Sequence, residues 1–226
     1  ILRFCGHCVT TEYYNNDEGV QIETLGKSTA LRVEEITSGK KIEMPENFYR
    51  GEYLTEIAEK FIGKFLSSSK ARKDFDRGNI SAVQLYKNLK SNLNLKLDFK
   101  QFKKVWRSYF SRREEMEKIL KKLKKNYKLV LLSNTDKIHF SHIRKKYKIL
   151  DIFDDFVLSY KIGYTKPNPL IYLHAIKKAK TFPNNIIYID DIKSYVLAAK
   201  FFGIKSIQYT TFSKLKADLK KLNIKT

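Results

Sequence analysis

Three short runs carry residue types that could act together on one substrate. "KLVLLSNTD" (128–136) is an apolar run ending in Ser133, Asn134, Thr135 and Asp136. "NIIYIDD" (185–191) is a second, ending in Asp190 and Asp191. Between them, "SYKIGYTKPNPLIY" (159–172) sets Lys166 directly before Pro167. Two adjacent carboxylates after a buried run are costly without a counter-charge. A magnesium ion supplies one, because it takes oxygen ligands and commonly uses one or two carboxylates plus substrate phosphate. A lysine and a hydroxyl then hold phosphoryl oxygens. Taken singly, Ser133 reads equally well as a helix cap, Lys166 as a surface lysine, and the acid pair as the cap of a helix starting near Ile192. All three in this order point to chemistry on a phosphate.

The surrounding pattern must bring these runs together. From residue 113 onward, short apolar runs alternate with amphipathic segments. "KLVLLSN", "DFVLSY", "NIIYID" and "IKSIQY" alternate with helical patterns at 137–147, 168–180 and 192–202 and a last helix on Leu215, Leu219 and Leu222. Alternating strands and helices predict βαβ units, a parallel sheet and right-handed crossovers. Ligands in such sheets sit beyond the carboxyl ends of the strands, where the three runs end.

Residues 25–112 follow a different rhythm. Leu54, Ile57, Ala58, Phe61, Ile62 and Phe65 fall on one helical face. Ser81 and Gln84 have the spacing of a capping box, followed by a stripe of Ala82, Leu85, Tyr86 and Leu89. Phe99, Phe102, Trp106, Tyr109 and Phe110 mark a third helix. The expected organisation is a Rossmann-like three-layer α/β/α core from 1–24 and 113–226, with an all-helical cap inserted at 25–112.

Composition narrows the class further. No run approaches the roughly 18 to 20 apolar residues of a membrane span, and no secretory leader pattern opens the chain. The expectation is a cytoplasmic protein, monomer or homodimer, with no membrane partner. Cys5 and Cys8, with His7 between them, have a zinc-like spacing, but no second cysteine pair supplies the remaining ligands. A reduced cytoplasmic protein is the better reading. The net charge of +21 admits nucleic acid as a partner. The lysines are spread along the chain, however, and in "KILKKLKKNYK" (118–128) they alternate with Ile119, Leu120 and Leu123 at helical spacing. A solvated lysine face is favoured over a nucleic-acid site, and a small phosphorylated substrate gains from the positive field either way.

On these residues the chain resembles the haloacid dehalogenase-like hydrolase superfamily. "LLSNTD" looks like its second motif, "GYTKPNPLIY" its third and "YIDD" its fourth. The branch with a helical cap, which includes sugar-phosphate phosphatases and the phosphatase domain of some epoxide hydrolases, is the most similar. "FDRGNISAVQLYKNL" (75–89) resembles the cap helices of that branch. The resemblance implies a magnesium-dependent phosphatase in which Ser133, Asn134 and Lys166 hold phosphate. It makes Asp190 a magnesium ligand, with Asp191 assisting through water or orienting Lys166. A metal-independent 2-haloacid dehalogenase is the other enzyme in this superfamily to weigh, and a silent binding protein, for RNA given the charge, is the non-enzymatic alternative.

The superfamily's first motif has an Asp nucleophile, then any residue, then an acid/base Asp followed by Gly. Laid on "NDEGVQIET" (16–24), Gly19 and Val20 fall in register. Asn16 then takes the nucleophile position, Asp17 the middle and Glu18 the acid/base position, with Asn16 and Glu18 beside the metal. A carboxamide is a poor nucleophile where a carboxylate is required. Three readings stand: a member that binds without turnover, a segment 1–16 foreign to an active parent with Asp at 16, or a register shift that makes Asp17 the nucleophile.

Overall fold

The structure is a computed structural model and describes residues 18–67, 70–93, 95–108 and 113–225. The chain forms two compact units, one of Ile1–Ser69 and Tyr86–Ser111, the other of Lys70–Leu85 and Arg112–Thr226. Sequence pattern had put the boundaries near 24 and 112. Among the described residues the helical unit includes 18–24 and the strand-bearing unit includes 70–85.

The helical unit contains α1 (Glu18–Ser38), α2 (Tyr53–Ser67), most of α4 (Ala82–Leu93) and α5 (Phe99–Trp106), and no strand among the described residues. In α1, Ser28, Thr29 and Thr37 turn their hydroxyls back to carbonyls four residues earlier. Ser28 is fully buried and its oxygen also accepts from the Tyr49 amide at 3.0 Å, which ties the loop before α2 to α1. In α2 the line Leu54, Ala58, Ile62 is buried, but Phe61 and Phe65 are 61% and 56% exposed. The apolar stripe is therefore wider than the buried one, because a helix packed through one seam covers only one of two adjacent i, i+4 lines. Ser81 and Gln84 form the expected box, each side chain bonding the other's backbone amide. Asp98 and Gln101 repeat it at α5. Tyr86, Phe99, Phe102 and Trp106 make a run of ring contacts, with Phe102 and Trp106 fully buried. Tyr109 and Phe110 lie outside the described residues.

The second unit is an α/β fold with parallel strands. Four short strands, β1 (Val130–Ser133), β2 (Asp155–Leu158), β3 (Ile187–Asp190) and β4 (Lys205–Gln208), form the parallel pairs β1–β2 and β3–β4. Each fell where an apolar run had predicted it. Between and around them run α3 (Lys70–Asp76), α6 (Glu114–Lys124), α7 (Lys137–Lys146), α8 (Ser159–Ile162), α9 (Pro169–Ala179), α10 (Lys193–Phe201) and α11 (Phe212–Lys221). Alternate strand residues face opposite ways, as a pleated strand requires. Val130, Leu132 and Tyr188 join Val157 in a cluster with Ile171 and Tyr172 of α9 and Ala199 of α10. Leu129, Ile187 and Ile189 join Ile207 in a second cluster with Ile119 and Leu123 of α6 and Leu215 and Leu219 of α11. The β3–β4 pair and its flanks thus reach both clusters, while β1 and β2 pack on the first and Leu129, just before β1, on the second. Lys118, Lys121 and Lys122 on α6 are exposed opposite its buried Ile119 and Leu123, the solvated face expected of them.

Short α8 was not anticipated. It ends at Gly163, whose φ of 81° lies in the left-handed region. Gly78 has a φ of 75°, and a Cβ there would meet the Tyr160 carbonyl oxygen at 2.3 Å. The turn after α3 therefore lies directly on α8. Gly163→Ala, with nothing near its Cβ, is expected to cost only the left-handed penalty of about 1 to 2 kcal/mol. Gly78→Ala adds a backbone clash and is expected to cost on the order of 3 kcal/mol or more. Urea unfolding of both variants against the parent chain measures the difference, and equal losses would contradict the close approach.

Candidate functional site

The three runs singled out by sequence meet at the carboxyl ends of β1 and β3. The Lys166 ammonium pairs with Asp190 Oδ2 at 2.6 Å, with 9% and 8% of the two side chains exposed. Its Nζ also lies 3.4 Å from the carbonyl oxygen of Leu132 on β1. The rings of Tyr195 and Tyr188 stand 5.1 and 5.9 Å from it, which places two aromatic faces beside the ammonium.

Asn134 positions the lysine. Its Oδ1 accepts from the Lys166 backbone amide at 2.7 Å, and its Nδ2 donates to the Lys166 carbonyl at 3.1 Å. The same Nδ2 lies 3.3 Å from the Tyr195 hydroxyl. The side chain is thus engaged in holding the Lys166 backbone. Among the described residues, Ser133, half-buried at the end of β1, makes only a long 3.5 Å side-chain contact, to the neighbouring carbonyl of Asn134, so its hydroxyl is weakly held. Below it, Ser159 Oγ accepts from the Thr135 amide and donates to the Thr135 carbonyl, both at 2.9 Å. That exchange fixes the loop after β1 to the start of α8. Asp136 caps α7 through the His139 amide at 2.9 Å and pairs with the His139 ring, both residues being buried.

Asp190 is held on every side. Oδ2 accepts from Lys166 and from the Tyr188 hydroxyl at 2.5 Å, and Oδ1 accepts from the Ile192 amide at 2.9 Å. Burial opposes its charge, but these donors together keep its carboxyl below the usual carboxylate range. Burial and the adjacent Asp190 charge push the Tyr188 phenol far up, so it stays a donor. Asp191 is exposed, and its carbonyl accepts from Gln208 Nε2 at 3.2 Å.

The donor set suits a hard cation only in part. Among the described residues no group of three or more His, Cys, Asp or Glu gathers as metal ligands. Asp190 and Asp191 at one strand end match a cation that keeps waters and takes substrate phosphate oxygens for its remaining positions. Asn16 and Asp17 lie outside the described residues. Glu18 is the first residue of α1, and Gly19 and Val20 continue that helix. Sequence reasoning passed over Tyr188 and Tyr195, whose hydroxyls complete the Asp190 and Asn134 networks. Their signal was a tyrosine in a buried strand and another in the first turn of the helix that follows.

The depressed carboxyl of Asp190 has a consequence for stability. A carboxylate with a lowered folded value stabilises the protein above the ordinary carboxylate range, and that contribution disappears as pH falls through the folded value. Asp190→Asn leaves the buried Lys166 ammonium without its partner, a loss of about 3 kcal/mol or more at neutral pH. The expected outcome is a large gap between parent and variant in urea midpoints at pH 7 that narrows below about pH 4. A gap independent of pH would show that the ion pair does not contribute as described.

Comparison with known proteins gives the family and the fold. The sequence profile of the haloacid dehalogenase-like hydrolase family matches residues 52–209. A HAD family enzyme from Bacteroides thetaiotaomicron, solved with magnesium and inorganic phosphate, is 23% identical, with a TM-score of 0.60 over 71% of this chain and 89% of that one. A predicted HAD-like family hydrolase from Porphyromonas gingivalis superposes with a TM-score of 0.64 at 18% identity, over 89% of this chain and 91% of that one. An L-2-haloacid dehalogenase gives 0.54 at 16% identity, over 84% of this chain and 80% of that one. These identities establish the fold alone. The chain is also similar to arginine–tRNA ligases: 50% identity over 64 residues with the enzyme of Nitratidesulfovibrio vulgaris, and 38% over 116 residues with that of Lawsonia intracellularis. Those stretches are 28% and 50% of this chain, which spans only 11% and 20% of the two ligases. With the profile matching most of its length and the strand-end residues in place, the chain belongs to the haloacid dehalogenase-like hydrolase family.

Proposed function

We propose that this hydrolase acts on the phosphate ester of a small metabolite in the cytoplasm, as a magnesium-dependent phosphatase. The observation that carries the reading is the shielded Lys166–Asp190 pair beside the loosely held Ser133 hydroxyl. In this reading Lys166 and Ser133 bind phosphoryl oxygens, the ammonium supplying charge and the hydroxyl a directed hydrogen bond. Asn134 contributes by fixing Lys166. Asp190 and Asp191 would hold magnesium, which when bound neutralises phosphate charge and polarises the phosphoryl group. The crystallisation of the Bacteroides enzyme with magnesium and phosphate supports the choice of ligand. A carboxylate pair at the strand end also favours this chemistry over metal-independent dehalogenation.

The nucleophile is the open part of the mechanism. An aspartyl-phosphate route needs a carboxylate in line with phosphorus, and the first-motif alignment offers Asn16 there, with Asp17 and Glu18 following. That alignment lies before residue 52, outside the matched family region. If it is correct, the chain binds phosphate esters and turns them over very slowly. Asn16→Asp is then expected to raise single-turnover hydrolysis of an aryl phosphate by several powers of ten, on the order of 5 kcal/mol in the barrier. Lys166→Ala made in that variant should remove about 10²- to 10³-fold. Fast hydrolysis by the parent that Asp17→Asn abolishes moves the nucleophile to Asp17. An inert, folded Asn16→Asp variant counts against phosphatase chemistry.

A second reading, RNA binding, is favoured by the stretch similar to arginine–tRNA ligases and by the net charge of +21. Under the phosphatase reading, tRNA binding is counterion-driven and weakens to a Kd of about 10 µM or more by 0.15 M salt. Fluorescence anisotropy across a salt series measures this. Tight binding that persists at that salt concentration would establish the RNA reading instead.

A further inference from the structure

Two aromatic rings stand in water at the end of the strand-bearing unit opposite Lys166 and Asp190. Phe182, between α9 and β3, is 77% exposed, and Phe201, the last residue of α10, is 86% exposed. Both precede the amino ends of strands, β3 at Ile187 and β4 at Lys205, whereas Asp190 ends β3. The turns that carry the two rings touch. A Cβ on Gly203, two residues after Phe201, would lie 3.8 Å from Cβ of Pro183, the residue after Phe182. The Lys205 amide donates to the Ile186 carbonyl at 3.1 Å, which ties the two strand starts together. Phe201 meets Phe202 edge to face at 5.7 Å, and Phe202 stacks on the buried Tyr172 at 5.9 Å. The end of α10 is thus anchored while Phe201 itself projects. Leu197, one turn earlier on α10, is also exposed and extends the apolar surface. Single exposed apolar residues are ordinary, but large ones grouped on adjoining turns mark a contact surface.

Charge defines what fits this surface. Lys180 lies two residues before Phe182, Lys200 directly before Phe201, and Lys205 two residues after Gly203, and all three are exposed. No Asp or Glu occurs between Asp155 and Asp190, or between Asp191 and Asp218, so neither turn carries an acid of its own. Asp154 pairs with Lys124, and Asp155 with Lys128 and Lys178, so the acids at the start of β2 already hold other cations. Projecting rings among lysines suit an anionic bilayer surface: the rings enter the acyl boundary and the ammonium groups stay at the headgroup phosphates. A second copy of the chain would bring the same lysines against one another, and like charges oppose that.

We propose that the turns at Phe182 and Phe201 form a peripheral contact surface for an anionic lipid bilayer. Contact with one leaflet needs no spanning segment, so it is compatible with the absence, among the described residues, of a helix long and apolar enough to cross a membrane. It revises the expectation, drawn from the lack of a spanning run, that the chain has no membrane partner. The contact lies at the amino ends of β3 and β4 and leaves the carboxyl end of β3, with Lys166 and Asp190, free of the bilayer. Docking at this face is independent of the phosphatase reading.

Co-sedimentation of the full chain with vesicles measures it, using phosphatidylcholine alone and phosphatidylcholine mixed with phosphatidylserine. A chain of net charge +21 is attracted to any anionic surface, so variants must separate docking from diffuse attraction. The parent is expected to partition onto the mixed vesicles and not onto the neutral ones. Phe182→Ser combined with Phe201→Ser keeps the net charge and should weaken partitioning about tenfold or more. Lys200→Glu should weaken it more than Lys118→Glu, which makes the same charge change on the exposed face of α6. Circular dichroism checks the fold, and the lysine comparison serves if the double serine variant does not fold. Undiminished partitioning of the folded double variant, or equal losses from the two lysine variants, shows charge attraction alone and overturns the proposal. Failure of the parent to bind the mixed vesicles overturns it too. So does a dimer in sedimentation velocity that the double variant abolishes, which gives the face to a second copy. Loss of tRNA binding in the double variant without loss of vesicle binding gives the rings to stacking on bases instead.

Discussion

An ammonium and a carboxylate meet at 2.6 Å between Lys166 and Asp190 with less than a tenth of either side chain in contact with water. Such a pair is tolerated only when its geometry is good and the remaining oxygens find donors, because both charges have lost their hydration. The surroundings meet that condition. Asn134 grips both polar groups of the Lys166 backbone, Leu132 offers its carbonyl, and Tyr188 and the Ile192 amide complete the carboxylate. These groups come from the end of β1, the segment before α9 and the end of β3. The ion pair therefore joins two strand pairs that are separate in their backbone hydrogen bonding.

The same strand ends gather other buried polar groups, each tied to a different element. Ser159 fixes the loop after β1 to α8, and Asp136 with His139 forms the head of α7. Asp76 and Arg72 arrive from α3 through a turn that only glycine allows to approach α8 so closely. Apolar clusters pack against the strands, and polar groups lie at their carboxyl ends. That separation is the arrangement a ligand-binding crevice requires, because the apolar clusters hold the strands rigid while the polar end offers donors and charge.

The hydrolase profile begins at residue 52 and includes every strand. The arginine–tRNA ligases share a shorter stretch at higher identity. Residues 16–24, which resemble a first catalytic motif, precede the hydrolase match, and from Glu18 onward they are the start of a 21-residue helix. The second, third and fourth motifs carry more weight because each one ends or follows a strand.

Much of the architecture was legible in the sequence. Short apolar runs marked all four strands, and capping residues such as Ser81 with Gln84 marked a helix start, because these signals depend on neighbours in the chain. The order of hydroxyl, lysine and acid pair at strand ends was legible for the same reason. Tertiary structure decided the rest. It left Phe61 and Phe65 in water although they share the periodicity of buried residues, since packing partners, not spacing, set which line of a helix is covered. It turned Asn134 toward Lys166, 32 residues away, and brought Tyr195 to both. It buried Asp76 beside Arg72. Sequence alone determined which chemistry the strand ends could carry, because residue type and local period are properties of the chain. Which side chains share a charge or a hydrogen bond was decided only when distant segments were folded against one another and water was excluded from between them.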